Sequence, residues 1–263
     1  MARRRLRLTR RALGAALAGA AAGAASFTAS HDARAFGEGG AFHPRVLLTG
    51  TRELDTRRKS ALARWSAEVV RRTSAPSVLA PRSVRADSPA LIAEPFVVWA
   101  GAQAPEALTE RELLGLKRYF GLGGVLFVDE LEPDAGAFLA GAKAELARVM
   151  PDLSPIAIGE ENVVFRSFYL LRRAAGRVAK APKLEAIVRG GVALVLFSPN
   201  DLLGALAREA GGVHPFEVVP GGEAQREQAC RLAVNVAMYV LCSNYKDDQV
   251  HAPFLMRRRG EKK

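Results

Sequence analysis

The 263-residue chain carries 38 Lys+Arg against 27 Asp+Glu, a formal net charge of +11. Seven of those arginines and a single acid, Asp32, lie in the first 35 residues, so the remaining 228 hold 31 basic and 26 acidic side chains, a net +5. That balance is too modest to argue for nucleic acid, and the length suits one large core or two small ones.

Arg3, Arg4, Arg5, Arg7, Arg10 and Arg11 precede an Ala/Gly-rich stretch over 12–25, and Ala33-Arg34-Ala35 follows. A basic segment, an apolar segment and a small-x-small site is the layout of a secretory signal. Thr9-Arg10-Arg11-Ala12-Leu13-Gly14 resembles a twin-arginine export motif. The apolar stretch is built on alanine and is shorter than the ~20 strongly apolar residues that span a bilayer. The expectation is a signal over 1–35 carried by Arg10, Arg11, Ala33 and Ala35, a single domain over 36–256, and a basic tail over 257–263. The protein would then be exported, periplasmic and soluble after cleavage near Ala35. The plainer reading of the first residues is a solvated basic tail.

Val46-Leu47-Leu48-Thr49 predicts a first strand that ends at Thr-Gly. Leu62, Trp65, Val69 and Val70 recur at helical spacing within 57–73. Ser77 to Leu79 and the segment near Val84 predict a short strand between prolines. Phe96 to Ala100, bounded by Pro95 and Gly101, reads as a strand apolar on both faces. Thr109-Glu110-Arg111-Glu112 has the form of a capping box and opens a helix to Phe120, which Gly121-Leu122-Gly123-Gly124 closes. Val125 to Val128 is a second fully apolar strand, ending on Asp129-Glu130. A helix follows over about 135–149.

Residues 156–158 and 163–171 read as extended and irregular. Leu184 to Val188 leads through Gly190-Gly191 into a further buried strand, Val192 to Phe197, which stops at Ser198-Pro199-Asn200-Asp201. Residues 224–242 read as a long, largely buried helix. Cys230 and Cys242 both fall on it, about 18 Å apart at 1.5 Å per residue, too far for a disulfide, so two buried free thiols are expected. Fully apolar strands alternating with helices predict an α/β fold: a three-layer α/β/α domain around a mostly parallel open sheet, flavodoxin-like or class I glutamine amidotransferase-like.

Ligands of such sheets bind beyond the carboxyl ends of the strands. The candidate rim is therefore Thr49 and Gly50 after the first strand, Trp99 on the next, Asp129 and Glu130 on the third, and Ser198, Asn200 and Asp201 on the last. The plainer reading is that strand-end polar residues meet solvent or cap the next helix, as Asn200 and Asp201 would. Asp129 and Glu130 are the weak candidates for acid–base work. There is no Gly-x-Ser-x-Gly or Gly-x-Cys-x-Gly elbow, no phosphate loop, and no Gly-x-Gly-x-x-Gly after a strand. Beyond the leader the histidines are His43, His214 and His251, without ligand spacing. No metal site and no cofactor is expected; only a carboxylate-held divalent ion at Asp129 and Glu130 stays open.

Several pieces, taken in order, resemble the bacterial family called domain of unknown function 4159. They are Leu54 to Thr73, Gly123 to Asp129, Phe165-Arg166-Ser167-Phe168-Tyr169-Leu170-Leu171, Ser198-Pro199-Asn200-Asp201-Leu202, and the string from Gly221 to Phe254. The likeness runs from about Phe42 to Arg259. It implies a class I glutamine amidotransferase-like fold and accessory or assembly work beside MoxR-type ATPases and von Willebrand-type envelope proteins. Asn162-Val163 stand where that family commonly has His-Pro, and Gly190-Gly191-Val192 where it often has Asp-Gly-Arg. A tryptophan common in the family near Leu54 is also absent.

The leading expectation is a non-catalytic domain that binds an envelope protein partner or a small polar ligand, with no nucleic acid. Arg257-Arg258-Arg259 and Lys262-Lys263 add a possible peripheral membrane contact. The alternative is a hydrolase or transferase on a carbohydrate or peptidoglycan-like substrate, using Asp129 and Glu130.

Overall fold

A computed structural model describes residues 40–260 of the backbone and, for side chains, residues 40–243. The expected signal over 1–35 and the basic end of the tail at Lys262-Lys263 lie outside the described residues. Seven strands form one sheet: β1 (Arg45–Leu48), β2 (Arg82–Arg85), β3 (Phe96–Gly101), β4 (Val125–Glu130), β5 (Ile156–Ile158), β6 (Leu184–Arg189) and β7 (Val192–Ser198). Their spatial order is β2-β1-β3-β4-β7-β6-β5. The pairs from β2 across to β7 are parallel. β6 alone opposes its neighbours, paired antiparallel to β7 and to β5. The mostly parallel α/β sheet is as expected. The hairpin from β6 to β7 follows from Gly190 and Gly191, both at positive φ, which let the chain reverse in a tight turn.

The helices are α1 (Thr56–Thr73), α2 (Glu110–Gly121), α3 (Ala137–Val149), α4 (Leu202–Leu206) and α5 (Gly222–Gly260). Side chains of α1, α4 and α5 pack on one face of the sheet. Those of α2 and α3 pack on the other, so the three layers are complete. Alternation along each strand divides its side chains between these faces: Val125 and Phe127 join the first cluster, Leu126 and Val128 the second. Trp65 on α1 is the hub of the first face. Its ring lies 5.6 Å from Phe96 and 5.5 Å from Phe127, and its Nε1 donates to the Ala233 carbonyl of α5 at 2.7 Å. That bond satisfies the indole donor where water cannot reach it.

Three readings of the sequence change. The short second strand is Arg82–Arg85, while Ser77 makes only an isolated bridge to Phe42. α4 has five residues, too few to display a period; the sequence offers Asn200 and Asp201 as caps of a next helix without bounds for it, and the structure places that helix at Leu202–Leu206 with Asp201 as its cap. Cys230 is buried and Cys242 is exposed; both are free thiols, but only one is sequestered. Apolar surroundings push the Cys230 thiol up to about 11. Among the described residues no helix is long and apolar enough to cross a membrane.

Candidate functional site

The chain leaves β1, forms α1 and returns as β2 on one side; it then re-enters the sheet as β3 on the other side of β1. The connections diverge there, so the carboxyl ends of β1 and β3 flank the crevice where open α/β sheets bind ligands. A cavity of about 260 Å³ occupies that position. Its lining includes Leu48 and Thr49 from the end of β1, Trp99 to Ala102 from the end of β3, and Asp55 and Arg58 from the start of α1. Leu131 and Phe138 close it on the β4 side, and Gln103 and Glu106 stand at its mouth.

Local chemistry holds this shape. Thr109 and Glu112 form the expected capping box of α2. The same Glu112 carboxylate accepts from the Gly50 backbone N–H at 2.9 Å, so the cap also pins the loop after β1. Gly50 sits at φ +56, and a Cβ there would meet Glu106 at 2.5 Å. Thr51 donates to Glu106 at 2.7 Å. On the other wall the Trp99 and Phe138 rings meet edge-on at 5.4 Å. A Cβ on Gly101 would strike the Phe138 ring at 2.4 Å, so a glycine is needed for that ring to lie against β3.

The predicted rim divides in two. Thr49 and Trp99 line the cavity, and Gly50 shapes its loop. Asp129, Glu130, Ser198, Asn200 and Asp201 are buried, between 0% and 1% exposed, and face inward. Asp129 accepts from the Leu202 and Leu203 N–H groups at 3.0 and 2.8 Å and so caps α4. Asp201, with φ 52, caps α4 through Gly204 N–H at 2.7 Å. Its other oxygen takes guanidinium N–H donors from Arg58 (3.1 Å) and Arg177. Asn200 clasps the Ala181 peptide with both ends of its amide, at 2.9 and 2.8 Å. Glu130 accepts from the Glu132 and Leu139 N–H groups at 3.0 and 2.9 Å. The helix-capping reading of these strand ends therefore describes Asp201 and extends to Asp129.

Burial, and then the neighbouring Asp201 carboxylate, push Asp129 up to about 8 against its hydrogen bonds. Such a shift often marks a reacting group, but here both oxygens are engaged and water has no access. Adjacent residues of a strand also point to opposite faces, so Asp129 and Glu130 cannot chelate one ion or flank one bond. Among the described residues no group of three or more metal-ligating side chains converges. His43 is buried against Glu94, and His214 bonds the Ala207 carbonyl, far from one another in role; the His251 side chain lies outside the described residues.

Sequence reasoning missed Arg58, Asp55, Leu131 and Phe138. Arg58 stands in the run Arg57-Arg58-Lys59, which reads as a solvated face. In the fold it reaches from α1 under the cavity to Asp55, Asp201 and the Leu131 carbonyl, with its guanidinium 4.3 Å over the Phe216 ring. Asp55 did carry a signal, as an N-cap residue just before the helix; its side chain accepts from Arg58 N–H at 3.0 Å.

With this geometry in view, the comparison with known families is decisive for kinship. The family described as Domain of unknown function (DUF4159) matches residues 45–241. The chain belongs to that family. A search of curated proteins finds no match. The matched segment of this DUF4159 domain opens at β1 and ends in α5, so it contains all seven strands and both sides of the crevice. The family's description names no activity, and the reading of function rests on the site.

Proposed function

We propose that this DUF4159 protein is a non-catalytic binding domain that takes a small polar ligand in the crevice between β1 and β3. The observation that carries the reading is the coincidence of the point where the connections from β1 and β3 diverge with an open, partly polar cavity of about 260 Å³. Small-molecule sites favour that combination of an apolar floor with a few convergent polar groups. Thr49, Asp55, Gln103 and Glu106 supply hydroxyl, carboxylate and amide partners, while Leu48, Leu131 and Trp99 exclude water. The hydrolase reading asks Asp129 and Glu130 to act together on one bond. Their opposed directions and engaged oxygens favour binding over turnover.

The reading places the domain in the bacterial envelope, exported by the arginine-rich leader, where ligand occupancy would signal to an assembly partner. Export rests on Arg10, Arg11 and the Ala33-Arg34-Ala35 site, and the partner on the family resemblance. The test is the melting temperature of the full chain against sugars, muropeptides, nucleotides and divalent ions. A ligand at about 100 times its dissociation constant adds about 2.7 kcal/mol, a rise of roughly 5–11 °C at this size. A rise that is lost in Thr49→Ala is the expected result. Ligand-independent turnover of a muropeptide, abolished by Asp129→Asn in a folded protein, would overturn the reading.

A further inference from the structure

Residues 163–173 leave the core as an irregular loop between β5 and β6, and they present apolar side chains that no described residue covers. Leu170 is 88% exposed, Val163 51% and Phe168 44%. A leucine at that exposure has almost no neighbour on any side, so it projects from the surface and does not line a groove. Phe168 and Leu170 stand two positions apart on this loop, and exposed apolar groups that gather in this way mark contact sites.

The loop is held firmly despite its shape. Asn235 on α5, fully buried, accepts from Tyr169 N–H at 2.7 Å and donates to the carbonyls of Tyr169 (2.9 Å) and Val164 (3.0 Å). Ser167 donates to the Asn235 carbonyl at 2.6 Å, and Leu171 N–H to the Phe165 carbonyl at 2.8 Å. Val164 and Phe165 are buried beneath it. A buried asparagine that uses its whole amide to fix one loop implies that the conformation of the loop matters, while the exposed tips contribute nothing to folding.

Charge surrounds the tips. Arg166, Arg172 and Arg173 are all exposed. Among the described residues none of the three has a carboxylate within ion-pair distance; Arg166 donates only to the Glu160 carbonyl. The acids preceding the loop are the exposed Glu160 and Glu161, with one Glu161 oxygen accepting from the Gly159 N–H at 3.0 Å, and Glu227 near Tyr169 is already paired with Arg72 and Arg231. Behind the tip the Phe168 and Tyr169 rings meet edge-on at 4.9 Å, and Arg231 lies 5.2 Å over the Tyr169 ring.

We propose that this loop is a membrane-contact site, which inserts Phe168 and Leu170 into an anionic bilayer while Arg166, Arg172 and Arg173 meet lipid phosphates. A convex apolar tip has no need of a matching recess in a fluid bilayer, whereas a protein partner would have to supply one. Arginines beside the tip stay at headgroup depth, where attraction to anionic lipid adds to apolar burial. The site shares no residue with the crevice lining, and its failure would leave the crevice reading intact.

The experiment uses the full chain with vesicles of phosphatidylglycerol and phosphatidylcholine mixed in equal parts. The native tryptophans, Trp65 and Trp99, are buried, so Leu170→Trp adds a reporter whose emission responds to the tip alone. Its emission should shift to the blue on adding vesicles and be quenched by brominated lipid. Phe168→Ser with Leu170→Ser should lower partitioning by about tenfold or more. Arg172→Gln with Arg173→Gln should lower it about 25-fold, at roughly fivefold per charge. Both pairs change exposed side chains, so unchanged melting temperatures check that folding is intact. Emission that stays at its solvent value, or partitioning within about twofold of the parent for both pairs, overturns the proposal. Loss of a soluble acidic partner instead would assign the loop to protein recognition.

Discussion

The carboxyl ends of β1 and β3 and the carboxyl ends of β4 and β7 hold equivalent places in one sheet, yet one pair opens a cavity and the other is sealed. Beyond β7 the chain turns directly into α4, and Asp129 from the end of β4 joins Asp201 and Asn200 in folding inward to satisfy its first N–H groups and the neighbouring loop. At β1 and β3 the connections run in opposite directions and leave a gap, which the start of α1 lines with Asp55 and Arg58 without filling it. Polar residues at strand ends thus serve two purposes in one sheet: binding where topology leaves a gap, and capping where it does not.

The sealed end should be the more sensitive to substitution. Asp201→Ala leaves the guanidiniums of Arg58 and Arg177 without their shared carboxylate. Breaking a buried pair in this way costs about 3–5 kcal/mol, to be read as a lower midpoint in urea unfolding. Asp129→Asn puts an amide donor against a backbone N–H, at a cost of about 1–3 kcal/mol.

Asp129 also predicts a pH dependence. Its carboxyl titrates near 3.8 when unfolded and about 8 when folded, so the native state holds a proton that the unfolded chain releases. Its contribution is complete below the unfolded value and is lost as pH rises through the folded value, at up to about 1.4 kcal/mol per pH unit between them. Denaturation from pH 5 to 8 should therefore show the stability gap between wild type and Asp129→Asn narrowing as pH rises. A gap that widens would mean that the hydrogen bonds to Asp129, and not its burial, dominate its titration.

Cleft substitutions should behave in the opposite way. Thr49→Ala, at a buried position, is expected to lower stability by about 1 kcal/mol while abolishing a ligand-induced rise in melting temperature. The smallest effect belongs to Cys242: it should react with a thiol reagent in the folded protein, while Cys230 should stay protected until unfolding.

Much of this architecture was legible in the chain because local signals agree with it. Phe96 to Ala100 and Val125 to Val128 are apolar without alternation, as strands covered on both faces must be. Thr109 and Glu112 announced α2 by their spacing. At the sealed end only the cap at Asp201 was legible; the rest was not, because its contacts join residues far apart: Asp129 reaches Leu202 and Leu203 across more than 70 positions, and α4 is too short to show a period. Arg58 was hidden by its neighbours Arg57 and Lys59, since a cationic run carries no mark of the one member that turns inward. The exposed Cys242 was misjudged because apolar residues crowd the helix up to Leu241, the last buried position among the described side chains.

The most direct test is calorimetric titration of the first ligand that raises the melting temperature, into wild type, Ala102→Trp and Asp129→Asn. Ala102 lines the crevice and is half-buried, so the larger ring fills the cavity while the sealed network stays intact. The account predicts that Ala102→Trp abolishes binding and that Asp129→Asn keeps it within about threefold, less than 1 kcal/mol. Binding that survives Ala102→Trp but is lost in Asp129→Asn would contradict it.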